Sequence, residues 1–135
     1  MFDPYSFAHV LHGVLLCGLL VWAVPRLAPT WQLCLAICIE SLWEEFENSA
    51  FDIERYRAAT MAQGYSGDTI ANSLGDILSC ALGFVLARRL GFWRSFALFL
   101  ITEGVLLLWI HDSLFLNVVM LIYPIDAIKV WQTAQ

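Results

Sequence analysis

The sequence predicts an all-α protein, a polytopic transmembrane helical bundle of four to five spans. Three observations carry that expectation. Of 135 residues, 60% are hydrophobic and only 14% charged, with a mean hydropathy of +0.71; a soluble domain is nearer half apolar and a quarter charged. The apolar residues fall into segments of about 20 residues, the length of a span, which together use nearly the whole chain and leave no room for a soluble domain. The breaks between segments hold proline, glycine and charge, as helix ends do.

The first helix is expected over about 5–24, ended by Pro25 and Pro29. It has no basic start, carries His9 and His12, and is not followed by a small-residue cleavage pattern, so it reads as a retained span rather than a secretory signal. The second, over 31–50, begins apolar and then takes up Glu40, Glu44, Glu45 and Glu47 without losing its helical pattern. Glu40, Glu44 and Glu47 share one face, and Glu45 points about a quarter turn away. A polar loop, Asp52 to Gly67, holds Arg55, Tyr56, Arg57 and the turn Gly64-Tyr65-Ser66-Gly67.

The third helix is expected over 68–87, with Asp68 as its N-cap, Asp68, Asn72 and Asp76 in steps of four, and Arg88-Arg89 past its end. The fourth covers 92–110 and carries Glu103; His111-Asp112-Ser113 then breaks the pattern. The stretch 114–131 is apolar enough to cross again despite Pro124, Asp126 and Lys129, or it stops halfway and lies in the interface.

The net charge of −5 comes from acids that mostly fall in or beside apolar segments. With no basic patch there is no nucleic-acid partner to expect, and the lipid bilayer is the partner the composition implies. Five spans put Arg26, Arg88, Arg89, Arg94 and Lys129 on one side and Arg55 and Arg57 on the other. By the positive-inside rule the first side is cytoplasmic, so the N-terminus and the 52–67 loop face outward. Cys17, Cys34, Cys38 and Cys80 read as small hydrophobes, and Trp31, Trp43, Trp93 and Trp131 as interfacial belt residues.

Alternating direction sorts the polar residues by depth. His9 and His12 come early in one helix, the glutamates late in the next, Asp68 to Asp76 early in the third and Glu103 late in the fourth, so all occupy one leaflet. At about 1.5 Å per residue, His12, Glu40, Asp76 and Glu103 each lie about 10–15 Å from their helix ends. A charge at such depth costs about 2.5–3.5 kcal/mol, so Glu40, Asp76 and Glu103 alone amount to about 9 kcal/mol, the scale of a domain's whole stability. Protonation, pairing with His9, His12, Arg55 or Arg57, or a bound cation would compensate. Imidazole and carboxylate suit a divalent metal ion, with His9, His12, Glu40, Glu44, Asp76 and Glu103 as candidate ligands. The Glu-x-x-His spacing of dinuclear helical bundles is absent.

The strings F-A-H-V-L-H-G (7–13), I-E-S-L-W-E-E-F-E-N-S (39–49), R-Y-R-A-A-T (55–60), Y-S-G-D-T-I-A-N-S-L-G-D (65–76) and L-N-V-V-M-L-I-Y-P-I-D-A-I-K-V-W-Q (116–132) resemble an uncharacterised bacterial inner-membrane family, domain of unknown function 2585. The resemblance implies a multi-pass protein of the bacterial inner membrane. It covers His9, His12, Glu40, Glu44, Glu47, Asn48, Arg55, Tyr56, Arg57, Asp68, Asn72, Asp76, Glu103, Asp112 and Asn117. Many members carry a further N-terminal span and an Arg in place of His111, which makes this chain a core version and leaves His111 without a role. A more distant likeness to VanZ-like membrane proteins rests on an acid late in one span and a G-D-x-x-x-N-x-x-x-D-like run opening the next.

Two function classes follow. In the first, a metal-dependent enzyme acts at the outer leaflet on a lipid or lipid-linked substrate, hydrolysing it or transferring a group. There the cation polarises the substrate or activates water, Glu47 is the general base, and Arg55 and Arg57 bind an anionic head group. In the second, the same acids bind and pass a cation or proton as a transport module. A third reading is an accessory or assembly subunit whose polar cluster fixes helix packing.

Overall fold

Proline, glycine and capping side chains set the helix ends. The computed structural model describes residues 4–59 and 66–132, and among these are seven helices and no strand. Helix α1 (Ser6–Ala23) ends before Pro25, and α2 (Pro29–Glu47) starts with a proline in its first turn, where the missing N–H has no helical partner to lose. Next come α3 (Ala50–Ala59), α4 (Ile70–Leu90) and α5 (Phe92–Ile110). Gly91, at φ +75°, closes α4 and opens α5, a conformation only glycine adopts without strain. The chain finishes with α6 (Leu114–Ile122) and α7 (Asp126–Gln132).

The direction of each helix follows from which residues meet. Ser6 meets Asp76 and Gly13 meets Cys80 and Phe84, so α1 and α4 run parallel. His12 meets Glu40 while Gln32 Nε2 donates to the carbonyl of Val24, so α2 runs opposite to α1. Ser95 Oγ donates to the carbonyl of Ala87, and α5 runs opposite to α4. The α1–α4 crossing is close because glycine lies on both sides of it. A Cβ on Gly13 would stand 1.9 Å from the carbonyl oxygen of Cys80, and one on Gly83 2.0 Å from that of Val10. Below this crossing Val14, Cys17, Leu20, Ala36, Phe84 and Ala87 form a dry core.

Among the described residues three helices, α1, α4 and α5, are long and apolar enough to cross a membrane, and the chain is a membrane protein by that measure. Helix α2 has the length of a span, about 28 Å, but four glutamates in its second half keep it out of that set.

The structure departs from the expected elements in three places. The 52–67 segment is helical over its first half, as α3, whose last turn holds Arg57; Gly64 and Tyr65 of the expected turn lie outside the described residues. Helix α4 is capped by Thr69, whose hydroxyl accepts the N–H of Asn72, rather than by Asp68, whose own N–H goes to Asn48 Oδ1 at 2.6 Å. The 114–131 stretch is not one helix. It breaks at Tyr123–Ile125, because Pro124 lacks an N–H and pushes the residue before it into extended backbone, leaving pieces of nine and seven residues.

Candidate metal centre

Four helices bring their polar residues to one end of the bundle. Glu40, 1% exposed, projects from the middle of α2 between two imidazoles of α1. Its Oε1 lies 2.6 Å from His9 Nδ1 and 2.9 Å from His12 Nδ1, and its Oε2 lies 3.1 Å from His12 Nδ1. One turn on, Glu44 is 4% exposed and neither of its oxygens has a hydrogen-bond partner. His9 Nδ1 is 3.4 Å from Glu44 Oε1, and the Ser73 hydroxyl of α4 also faces the Glu44 carboxyl. From α4, Asp76, 1% exposed, accepts Ser6 Oγ–H at 2.9 Å and Asn72 Nδ2–H at 3.0 Å.

Among the described residues three sets of donor atoms converge within 4.8 Å: His9 with His12 and Glu40, His9 with Glu44 and Glu47, and Glu44 with Asp68 and Asp76. The sets overlap at His9 and Glu44. A metal held about 2.0–2.2 Å from its ligands sets neighbouring ligand atoms about 3–3.4 Å apart. The 3.1 Å from His12 Nδ1 to Glu40 Oε2 and the 3.4 Å from His9 Nδ1 to Glu44 Oε1 fall in that range, while the 2.6 and 2.9 Å separations to Glu40 Oε1 are hydrogen-bond lengths. The triads open onto a cavity of about 250 Å³, where His9, His12, Glu47 and Asp76 face Asn117 and Leu121 of α6.

Two residues expected at the centre are engaged elsewhere. Glu103 is buried, but its Oε1 accepts the N–H of Leu114 at 3.0 Å and its Oε2 that of Phe115 at 3.2 Å. It therefore caps the N-terminus of α6, where a carboxylate also meets the positive end of the helix dipole, and it joins none of the three donor sets. Arg55 reaches the other end of the same helix, donating from Nε to the carbonyl of Leu121 and from an Nη to that of Ile122. Both residues hold α6 over the cavity. Arg57, the third residue expected to act on substrate, is exposed on α3.

Other side chains belong to the site and were not singled out for it. Ser6 lies three residues before His9, on the same helix face, which is the signal that could have found it. Asn48 ties the end of α2 to the start of α4, donating to the carbonyl of Glu44 and accepting from Asp68 N–H. Trp43, expected in the interfacial belt, instead stands edge-on to the His12 ring with 5.9 Å between centroids. Asp52, buried at the cavity wall with Oδ1 unpartnered, has its pKa raised by that burial, against the lowering effect of Arg55. In the turn before α6, burial pushes the Asp112 carboxyl up to about 6, although it accepts the N–H of Ser113.

The family described as protein of unknown function (DUF2585) matches residues 1–134. The chain belongs to that family. Among the curated relatives of this DUF2585 chain, a UPF0314 protein of Sphingopyxis alaskensis is 46% identical over 130 residues, 96% of this chain and 69% of its own length. One from Paracoccus denitrificans is 46% identical over 132 residues, covering 98% and 68%. One from Brucella anthropi is 40% identical over 131 residues, covering 97% and 67%. No solved structure matches the chain.

Proposed function

We propose that the cavity is the active site of a divalent-metal-dependent enzyme of the bacterial inner membrane. It hydrolyses, or transfers a group on, a lipid or lipid-linked substrate at the outer leaflet. One observation carries the reading: Glu44 is buried among His9, Glu40, Glu47 and Asp76, with only a 3.4 Å contact to His9 Nδ1 and the Ser73 hydroxyl to set against its charge. A buried carboxylate so weakly compensated, with three other acids around it, is costly, and a cation is the partner that would satisfy it together with its neighbours. His9, His12, Glu40, Glu44 and Asp76 would hold the ion, with Asp68 within reach through its set with Glu44 and Asp76. The ion would supply Lewis-acid polarisation or an activated water. Glu47 would act as the general base, and Arg57, on the adjoining helix, would meet an anionic head group.

The lipid class of substrate rests on position. The cavity is walled by carboxylates and imidazoles on one side and by Leu114, Val118 and Leu121 of α6 on the other, so a ligand with a polar head and an apolar tail matches both. A pathway through the protein is disfavoured by the far half of the bundle. There the core from Val14 to Ala87 is apolar, and the buried polar side chains beside it donate to backbone, Gln32 to the carbonyls of Leu20 and Val24 and Ser95 to those of Ala87 and Gly91. The outward orientation follows from the four arginines at the opposite end.

The test is elemental analysis of protein purified in detergent without added metal, beside Glu44→Gln and His9→Ala variants. Metal at one or two equivalents, lost in both variants while their helical circular dichroism is kept, supports the reading. Metal-free wild-type protein with an unchanged melting temperature in Glu44→Gln overturns it, because a neutral amide would then serve as well as the acid.

A further inference from the structure

At the end of the bundle away from the carboxylates, α1, α4 and α5 leave a groove of about 810 Å³. That is within the range of about 300–1,000 Å³ typical of ligand pockets. Its walls are apolar, with Leu15 and Leu19 from α1 and Phe96 and Phe99 from α5, and its floor is open at Gly18, where a Cβ would meet nothing within 4 Å. The charged side chain that reaches it is Arg88. Residues 14–39 and 77–102, which build this end, hold Arg26, Arg88, Arg89 and Arg94 and not one acid. None of these arginines makes an ion pair among the described residues.

We infer that this groove is a binding site for an anionic phospholipid of the leaflet opposite the candidate metal centre, with acyl chain against Phe96 and Phe99 and phosphate on Arg88. An apolar trough that ends at an uncompensated guanidinium fits a ligand with a long apolar body and a single negative head. A second copy of the chain fits poorly, since a two-fold contact in this groove would bring Arg88 toward its own image. The site is independent of the metal reading, because no residue of the groove takes part in the donor sets.

Native mass spectrometry of the full chain in detergent, titrated with phosphatidylglycerol and phosphatidylcholine of equal chain length, tests it. Phosphatidylglycerol is expected to be retained in preference. Arg88→Gln should lower that preference about fivefold, the factor for one basic residue at an anionic surface, while Arg94→Gln, which removes the same charge outside the groove, should lower it less. Gly18→Phe, which fills the trough, should lower retention of both lipids. Equal retention of the two lipids, equal effects of Arg88→Gln and Arg94→Gln, or a dimer that Gly18→Phe dissociates would each overturn the inference.

Discussion

Glu40 accepts from two imidazoles at once, whereas Glu44, one turn away, stands 3.4 Å from one. That asymmetry decides how the two acids should respond to substitution. Glu40→Gln leaves two histidines facing an amide and should cost about 1–3 kcal/mol of stability whether or not a metal is present, read as a lower melting temperature in detergent. Asp112 offers a test by pH. Burial raises its carboxyl from the ordinary 3.8 to about 6, so folding favours the protonated form. Below about pH 4 the group is neutral in both states and costs nothing; as pH rises through about 6 the folded protein must bury the charge. The penalty above pH 6 approaches about 3 kcal/mol. Asp112→Asn should therefore melt higher than wild type at pH 8 and level with it at pH 4. Equal melting temperatures at pH 8 would show that the charge is not buried. At this scale the sequence was informative where a helix face does the work. His9, His12, Glu40 and Glu44 meet because spacings of three and four hold inside α1 and α2. The partners of Glu103 were not legible, because they are backbone N–H groups created by the turn at His111, which no periodicity announces.

Among the helices, α6 depends most on others. Glu103 caps its start and Arg55 gathers its last carbonyls, so a nine-residue helix is fixed over the cavity by side chains from α5 and α3. Arg55→Ala should free it, and hydrogen exchange across 114–122 should quicken while exchange in α4 stays slow. Unchanged exchange in α6 would mean that its apolar contacts with Ala8, Leu11 and Phe99 suffice. The α1–α4 crossing is the opposite case, a contact made of absent side chains. Gly83→Ala places a methyl against the carbonyl of Val10 and should destabilise by about 1–3 kcal/mol as the helices part. Gly18→Ala, with open space around it, serves as the neutral control. The stretch 114–131 was open in the sequence to a further crossing or to a segment that stops halfway and lies in the interface, and neither reading announced the hydrogen bonds from Arg55 and Lys129 that join it to α3.

The molecule as a whole is divided by charge and polarity along its length. One end gathers histidines and carboxylates from α1, α2 and α4 around a cavity, and the other is apolar with arginines at its rim. That division was legible from the sequence because it follows from helix direction alone: α1 and α4 run parallel, with α2 and α5 opposed to them. What side-chain order cannot supply is which acids end up unpartnered, and the chemistry turns on that. X-ray absorption of the protein loaded with one equivalent of zinc examines this centre most directly. The account predicts a first shell of nitrogen and oxygen at about 2.0–2.2 Å, with imidazole outer-shell scattering that falls in His9→Ala. A zinc spectrum without imidazole scattering, unchanged by His9→Ala and Glu44→Gln, would contradict it.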